Sequence, residues 1–269
     1  MKKHLIKALS NIFPETFTNI AYDKLANPQR MKLRDHELVV LDTAKQRDIA
    51  FKGFQIRTYE WEGEGEAVLL IHGWEGQAGN FSDLIEKLLS KGMRVYAFDA
   101  PAHGYSSKGE TSPLEFAQLV AHLLFELKVQ RCISHSFGGV AVTYALFHNK
   151  TLSLEKLALI TTPDRFSERI SDVADRVGVS QKVLQRLLKR MEDMNVDVSS
   201  LNVSDFVKQI NVSKALILHD INDKVLPFEQ SRNVHLNWPQ SRLIEVEGTG
   251  HFRILRTESV LDQIVDFIA

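Results

Sequence analysis

Apolar and polar positions along the chain fall into two alternating rhythms. Short, unbroken apolar runs recur at 67–71, 94–98, 132–133, 157–160 and 215–218. Each predicts a strand buried on both faces of a sheet. Between them the apolar residues return at helical spacing, over 81–89 with Gly92 following as a cap, and over 113–127. That second stretch has a proline in its first turn and Leu114, Ala117, Val120, Ala121 and Leu124 in register. Helical patterns also cover 139–147, 231–236 and 260–268, and 243–246 is strand-like. Ahead of the regular part, 55–61 alternates like a half-buried strand, and Gly63-Glu64-Gly65 supplies a turn. Buried strands alternating with helices predict an α/β fold, a mostly parallel sheet covered on both faces.

Two stretches depart from this rhythm. Residues 1–50 are mixed and partly helical: Leu5, Leu9 and Ile12-Phe13 fall on one face, and Pro14 ends the run. The expectation is an N-terminal helical extension whose apolar face packs on the main body; the alternative, a membrane-surface anchor, has only a short apolar stripe to work with. Residues 161–213 contain helical patterns at 165–177, 181–191 and 203–210 and no strand. They start at the carboxyl end of a strand, where ligands bind in open α/β sheets. A helical lid over 161–213, on a core of 51–160 and 214–269, is the expected organisation.

Composition narrows the class. The chain has 269 residues, is 44% hydrophobic and 25% charged, and has a formal net charge of −1. That balance gives no overall field favouring nucleic acid or an anionic membrane. A single cysteine, Cys132, excludes an intrachain disulfide and reads as a small buried hydrophobe. The basic start lacks the long uncharged core of a signal peptide, and no stretch is apolar enough to span a bilayer. A cytoplasmic protein without stable membrane insertion is the default expectation. Nothing in the sequence sets its oligomeric state.

Candidate chemistry centres on Arg131-Cys132-Ile133-Ser134-His135-Ser136-Phe137-Gly138-Gly139. An apolar strand runs into a serine flanked by small residues, and a helical pattern follows at once. A sharp strand-to-helix turn of this kind lifts one hydroxyl out of the backbone with N–H groups beside it. Positions two before and two after the serine must be small. Gly138 meets that need fully, and Ser134, where glycine is usual, meets it partly. A serine hydroxyl needs a base to take its proton, and the base needs a group to hold its tautomer. Downstream, Gly248-Thr249-Gly250-His251-Phe252 places a histidine in a glycine-rich loop after the last strand. Between the two, His219-Asp220-Ile221-Asn222-Asp223-Lys224-Val225-Leu226-Pro227 offers two carboxylates.

With these residues in order, the chain from about residue 55 to its end resembles the α/β-hydrolase superfamily. His72-Gly73-Trp74 is similar to the family's oxyanion loop. Asp99-Ala100-Pro101-Ala102-His103-Gly104-Tyr105-Ser106 is similar to its signature turn. The family's post-strand motif is His-Gly, two variable residues, Asp, then a Val-Pro pair. Here Asp223 takes the acid position and Asp220 stands where glycine is usual. The resemblance implies a Ser136–Asp223–His251 triad, with the backbone N–H groups of Trp74 and Phe137 as the oxyanion hole. It implies hydrolysis of an ester or thioester of a small acyl substrate, with no metal or organic cofactor. The same triad serves acyl transfer and carbon–carbon hydrolysis, and the fold also occurs as silent ligand-binding domains. His72, Asp99 and His103 read as structural supports, His135 as an internal packing group, and Glu75 as a solvent-facing carboxylate. The basic residues Lys182, Arg186, Lys189 and Arg190 read as a solvated helix face.

Overall fold

A computed structural model describes residues 2–194 and 197–269. Helices α1 (Lys2–Ile12), α2 (Pro14–Ala26) and α3 (Asp35–Asp42) precede an edge hairpin, β1 (Lys45–Phe51) and β2 (Phe54–Trp61). There follow β3 (Ala67–Ile71), α4 (Ser82–Ser90), β4 (Arg94–Phe98), α5 (Pro113–Leu127), β5 (Arg131–His135), α6 (Phe137–His148) and β6 (Leu154–Ile160). Next come α7 (Phe166–Val177), α8 (Gln181–Asp193), α9 (Val203–Phe206) and β7 (Val212–Asp220). The chain ends with α10 (Phe228–Leu236), β8 (Ser241–Val246), α11 (Gly250–Arg253) and α12 (Glu258–Ile268).

The strands form one sheet in the order β1-β2-β4-β3-β5-β6-β7-β8. Pairing is parallel from β4 to β8 and antiparallel at β1–β2 and β2–β4. Side chains alternate across it, so each apolar run feeds two cores. In β3, Leu69 and Ile71 enter the layer under α5 and α6, while Val68 and Leu70 enter the layer under α4 and α12. Leu157 and Leu159 of β6, and Ala215 and Ile217 of β7, repeat the division. Strand order reverses at β3, because the chain goes to β4 on one side and returns to β5 on the other. The crevice beyond the carboxyl ends of β3 and β5 is therefore the place where this architecture binds ligands.

Two boundaries differ from the sequence expectation. Strand β1 lies largely within residues 1–50. Its sequence, KQRDIAF, is polar and mostly exposed because it is an edge strand paired only to β2. The helix expected at 203–210 closes at Phe206, and a turn then carries the chain to Val212, where β7 starts. The 161–213 stretch adds no strand to the sheet among its described residues; it makes one isolated bridge, Arg165 to Asn202.

Candidate active site

Ser136 sits between the last residue of β5 and the first of α6, with φ +52° and ψ −123°. Its N–H donates to Ile160 O (2.8 Å), and its carbonyl accepts from Gly139 N–H (3.0 Å). The turn is tight enough that a Cβ on Gly138 would stand 2.3 Å from Ile71 O and 2.6 Å from His72 O, so only glycine fits. Ser134 is accommodated differently: fully buried, it donates its hydroxyl to Ala158 O on the neighbouring β6 (3.1 Å). Its extra atom is thus satisfied within the sheet and not pushed into the turn.

His251 reaches this serine because its loop is suspended from β7. The Asp220 carboxylate, at the strand's end, accepts from the N–H groups of Thr249 and Gly250 and from the Thr249 hydroxyl, while its other oxygen accepts from Asn222 N–H. Burial pushes the Asp220 pKa up, but those donors outweigh it and hold the pKa below the ordinary carboxylate range. From the other side, His135 Nε2–H donates to the carbonyl of His251 (2.8 Å). The imidazole is held at both its flanks. His251 Nε2 lies 3.0 Å from Ser136 Oγ, and His251 Nδ1 lies 2.8 Å from Asp223 Oδ2.

Asp223 occupies the turn after β7. Its Oδ1 accepts from Val225 N–H (2.6 Å) and Leu226 N–H (3.1 Å). Burial alone would raise its pKa. Hydrogen bonds from His219 and His251, the charge of His251 and the Val225 N–H reverse that and hold it well below the usual range. A carboxylate on Nδ1 fixes the proton there and leaves Nε2 free to accept the serine proton. His219 stands 3.5 Å from the same Oδ2 and is anchored by Ser231 Oγ (2.6 Å) and Leu226 O (3.1 Å). Sequence reasoning gave no role to His219, Ser231 or Thr249. The signal for His219 is its place at the buried end of a strand, directly before the turn that carries Asp223.

The loop after β3 passes beside the serine: a Cβ on Gly73 would lie 3.0 Å from Ser136 Cβ. Buried His72 clamps this loop. Its Nδ1–H donates to Gly73 O (2.7 Å), and its Nε2 accepts from Ala100 N–H (3.0 Å) in the turn after β4. That turn is organised by buried Asp99, which accepts from Ala78 N–H, Tyr105 N–H and the Tyr59 hydroxyl. Burial raises the Asp99 pKa against these bonds. The half-buried Trp74 ring meets Phe137 edge-on at 5.5 Å and His103 at 5.0 Å, and Phe137 in turn meets Phe166 at 5.0 Å. An aromatic wall therefore runs from the residue after the serine to the loop after β3. Phe137 is the first residue of α6, so its N–H is among those a helix leaves without an internal partner. Glu75 is exposed and accepts from Gln29 N–H. Lys182, Arg186 and Lys189 are exposed, and Arg190 stacks on Tyr22.

A family model described as alpha/beta hydrolase fold matches residues 66–190. A pimeloyl-[acyl-carrier protein] methyl ester esterase of Aliivibrio salmonicida is 31% identical over 114 residues, 42% of this chain and 38% of that protein. The chain thus aligns with less than half the length of such curated relatives. Among solved structures, an esterase from Exiguobacterium antarcticum superposes with a TM-score of 0.64 at 20% identity, over 82% of this chain and 98% of the other. The thioesterase domain from the curacin biosynthetic pathway superposes with a TM-score of 0.61 at 18% identity, over 84% and 99%. Matched sequence, sheet order and strand-to-helix turn agree: the chain has the α/β-hydrolase fold, and over residues 66–190 its sequence is similar to the family of that name.

Proposed function

We propose that the protein is a serine hydrolase that cleaves a carboxylic ester or thioester. The observation that carries this reading is the unbroken hydrogen-bond chain from Ser136 Oγ through His251 to Asp223. In this mechanism Ser136 Oγ attacks the acyl carbonyl while His251 Nε2 takes its proton. Asp223 holds the Nδ1–H tautomer and stabilises the imidazolium. The N–H groups of Phe137 and Trp74 receive the oxyanion, a contribution of about 2.7–4 kcal/mol for one such donor. His251 then returns the proton to the leaving alcohol or thiol. Water attacks the acyl-enzyme with His251 again as base, which frees the acid and restores Ser136. The aromatic wall of Trp74, Phe137 and Phe166 suits an uncharged acyl group. The 161–213 helices serve as its lid, with Phe166 at their start against Phe137. The ester-cleaving relatives support the same reaction class.

A fluorophosphonate probe tests this reading. Intact mass should gain one adduct, mapped to Ser136 and absent from Ser136→Ala. Folded protein that stays unlabelled and turns over neither p-nitrophenyl esters of graded chain length nor acyl-CoA thioesters would make this a silent binding domain.

A further inference from the structure

Helix α1 is turned the wrong way for a helix that only packs on its own protein. The residue it buries completely is Ser10, whose hydroxyl accepts from Ser180 N–H and donates to Lys7 O, both at 3.0 Å. Leu5, Leu9 and Ile12, at i, i+4 and i+7, face outward with Phe13 beside them; Leu5 is 61% exposed, Ile12 66% and Phe13 56%. The docking of α1 is instead a close backbone approach. At Gly178, which ends α7 with φ +86°, a Cβ would lie 2.7 Å from Lys3 O. The apolar stripe that sequence periodicity assigns to the protein's interior is thus left in water. Val173 and Val177 on α7, against which α1 packs, are exposed as well.

Charge says what covers this face. Helix α1 contains no acidic residue and exposes Lys3 and Lys7. Residues 1–13 hold three Lys and no Asp or Glu, a net +3 within a chain of net −1. Neighbouring α8 adds exposed Lys182, Arg186 and Lys189. An outward apolar stripe bordered by Lys3 and Lys7 of α1 and by Lys182 and Arg186 of α8 matches the boundary of a bilayer with anionic headgroups. A second copy of the chain fits poorly, since pairing would set two positive segments face to face. None of the described helices is long and apolar enough to cross a membrane, so the contact is a surface one.

We propose that α1, with the exposed valines of α7, docks the protein onto an anionic lipid surface. This surface is distinct from the Ser136 site, and its test does not depend on catalysis. The full chain is sedimented with vesicles of phosphatidylcholine alone and of phosphatidylcholine mixed with phosphatidylglycerol. Wild type should bind the mixed vesicles, release at high salt and ignore the neutral ones. Leu5→Asp with Ile12→Asp should cut partitioning at least about tenfold, and so should Lys3→Glu with Lys7→Glu. These positions are exposed, so thermal midpoints should match wild type. Failure of the wild type to bind phosphatidylglycerol vesicles would overturn the proposal, as would unchanged partitioning of both variants. So would light scattering that finds a wild-type dimer reduced to monomer by Leu5→Asp with Ile12→Asp, because a second copy would then cover the stripe.

Discussion

Asp220 and Asp223 stand three positions apart at the end of one strand, yet their carboxylates hold different partners. Asp223 meets the imidazole of His251; Asp220 meets the backbone that carries it. Their substitutions should therefore separate. In Asp223→Asn an amide N–H2 turned toward Nδ1 favours the wrong tautomer and places a proton on Nε2, against Ser136. Ester turnover should fall about 10³–10⁴-fold with the fold intact. Asp220→Asn keeps one oxygen for Thr249 and Gly250, so its loss should stay near tenfold. Asp220→Ala leaves buried N–H groups unpaired and should cost about 1–3 kcal/mol in urea unfolding. Equal kinetic losses in the two Asn variants, or the reverse ranking, would reassign the acid. The motif spacing in the sequence favours Asp223. What spacing alone does not convey is that Asp220, where glycine is usual, is the anchor of the histidine loop, since that role depends on contacts across 29 positions.

At the level of elements, the turn between β5 and α6 holds a non-glycine residue in a strained backbone region. Strain of this kind costs about 1–3 kcal/mol and persists only where surrounding structure enforces it. Here the enforcement comes from Gly138 packed against Ile71 and His72 and from the Ser136 N–H bond to Ile160. Ser136→Gly should then be more stable than Ser136→Ala by about 1 kcal/mol, because glycine adopts positive φ freely. Urea midpoints of the two variants measure this, and a less stable glycine variant would show the turn unstrained. The turn was readable in the sequence because its small residues and flanking rhythms are local. The central strands were readable too, since burial on both faces makes them continuously apolar. Strand β1 was not, because an exposed edge strand carries charge and is defined by backbone pairing with β2. Nor was the orientation of α1: periodicity locates a stripe on a helix but not the side of the protein it faces.

Across the whole molecule, three histidines are buried around the site in their neutral form. Burial drives the His72 pKa well below its ordinary value, that of His103 to about 4 and that of His135 to about 3. Neutrality is also written into the bonds: His72 Nε2 accepts the Ala100 N–H, and a proton there would oppose it. In the unfolded chain these rings titrate near 6.5. Between about 6.5 and 4 the unfolded state therefore binds more protons than the folded state, and stability rises with pH. The contribution is complete above the unfolded value and is lost as pH falls through the folded ones. At pH 5 His103 and His135 each account for a loss of about 2 kcal/mol, large beside a typical total of about 5–15 kcal/mol. Asp223, depressed in the folded state, adds a loss of the same sign below about pH 4, while Asp99, raised by burial, offsets part of it. Thermal midpoints should accordingly drop steeply from pH 6.5 to 5, before most carboxylates protonate. His103→Phe removes one titrating ring from the aromatic wall at the cost of its bond to Pro101 O. It should melt lower than wild type at pH 7.5 yet lose less stability on acidification to pH 5. A variant as acid-sensitive as wild type would mean that His103 is protonated as easily in the folded protein as in the open chain, and the acid limit would then have to come from the carboxylates.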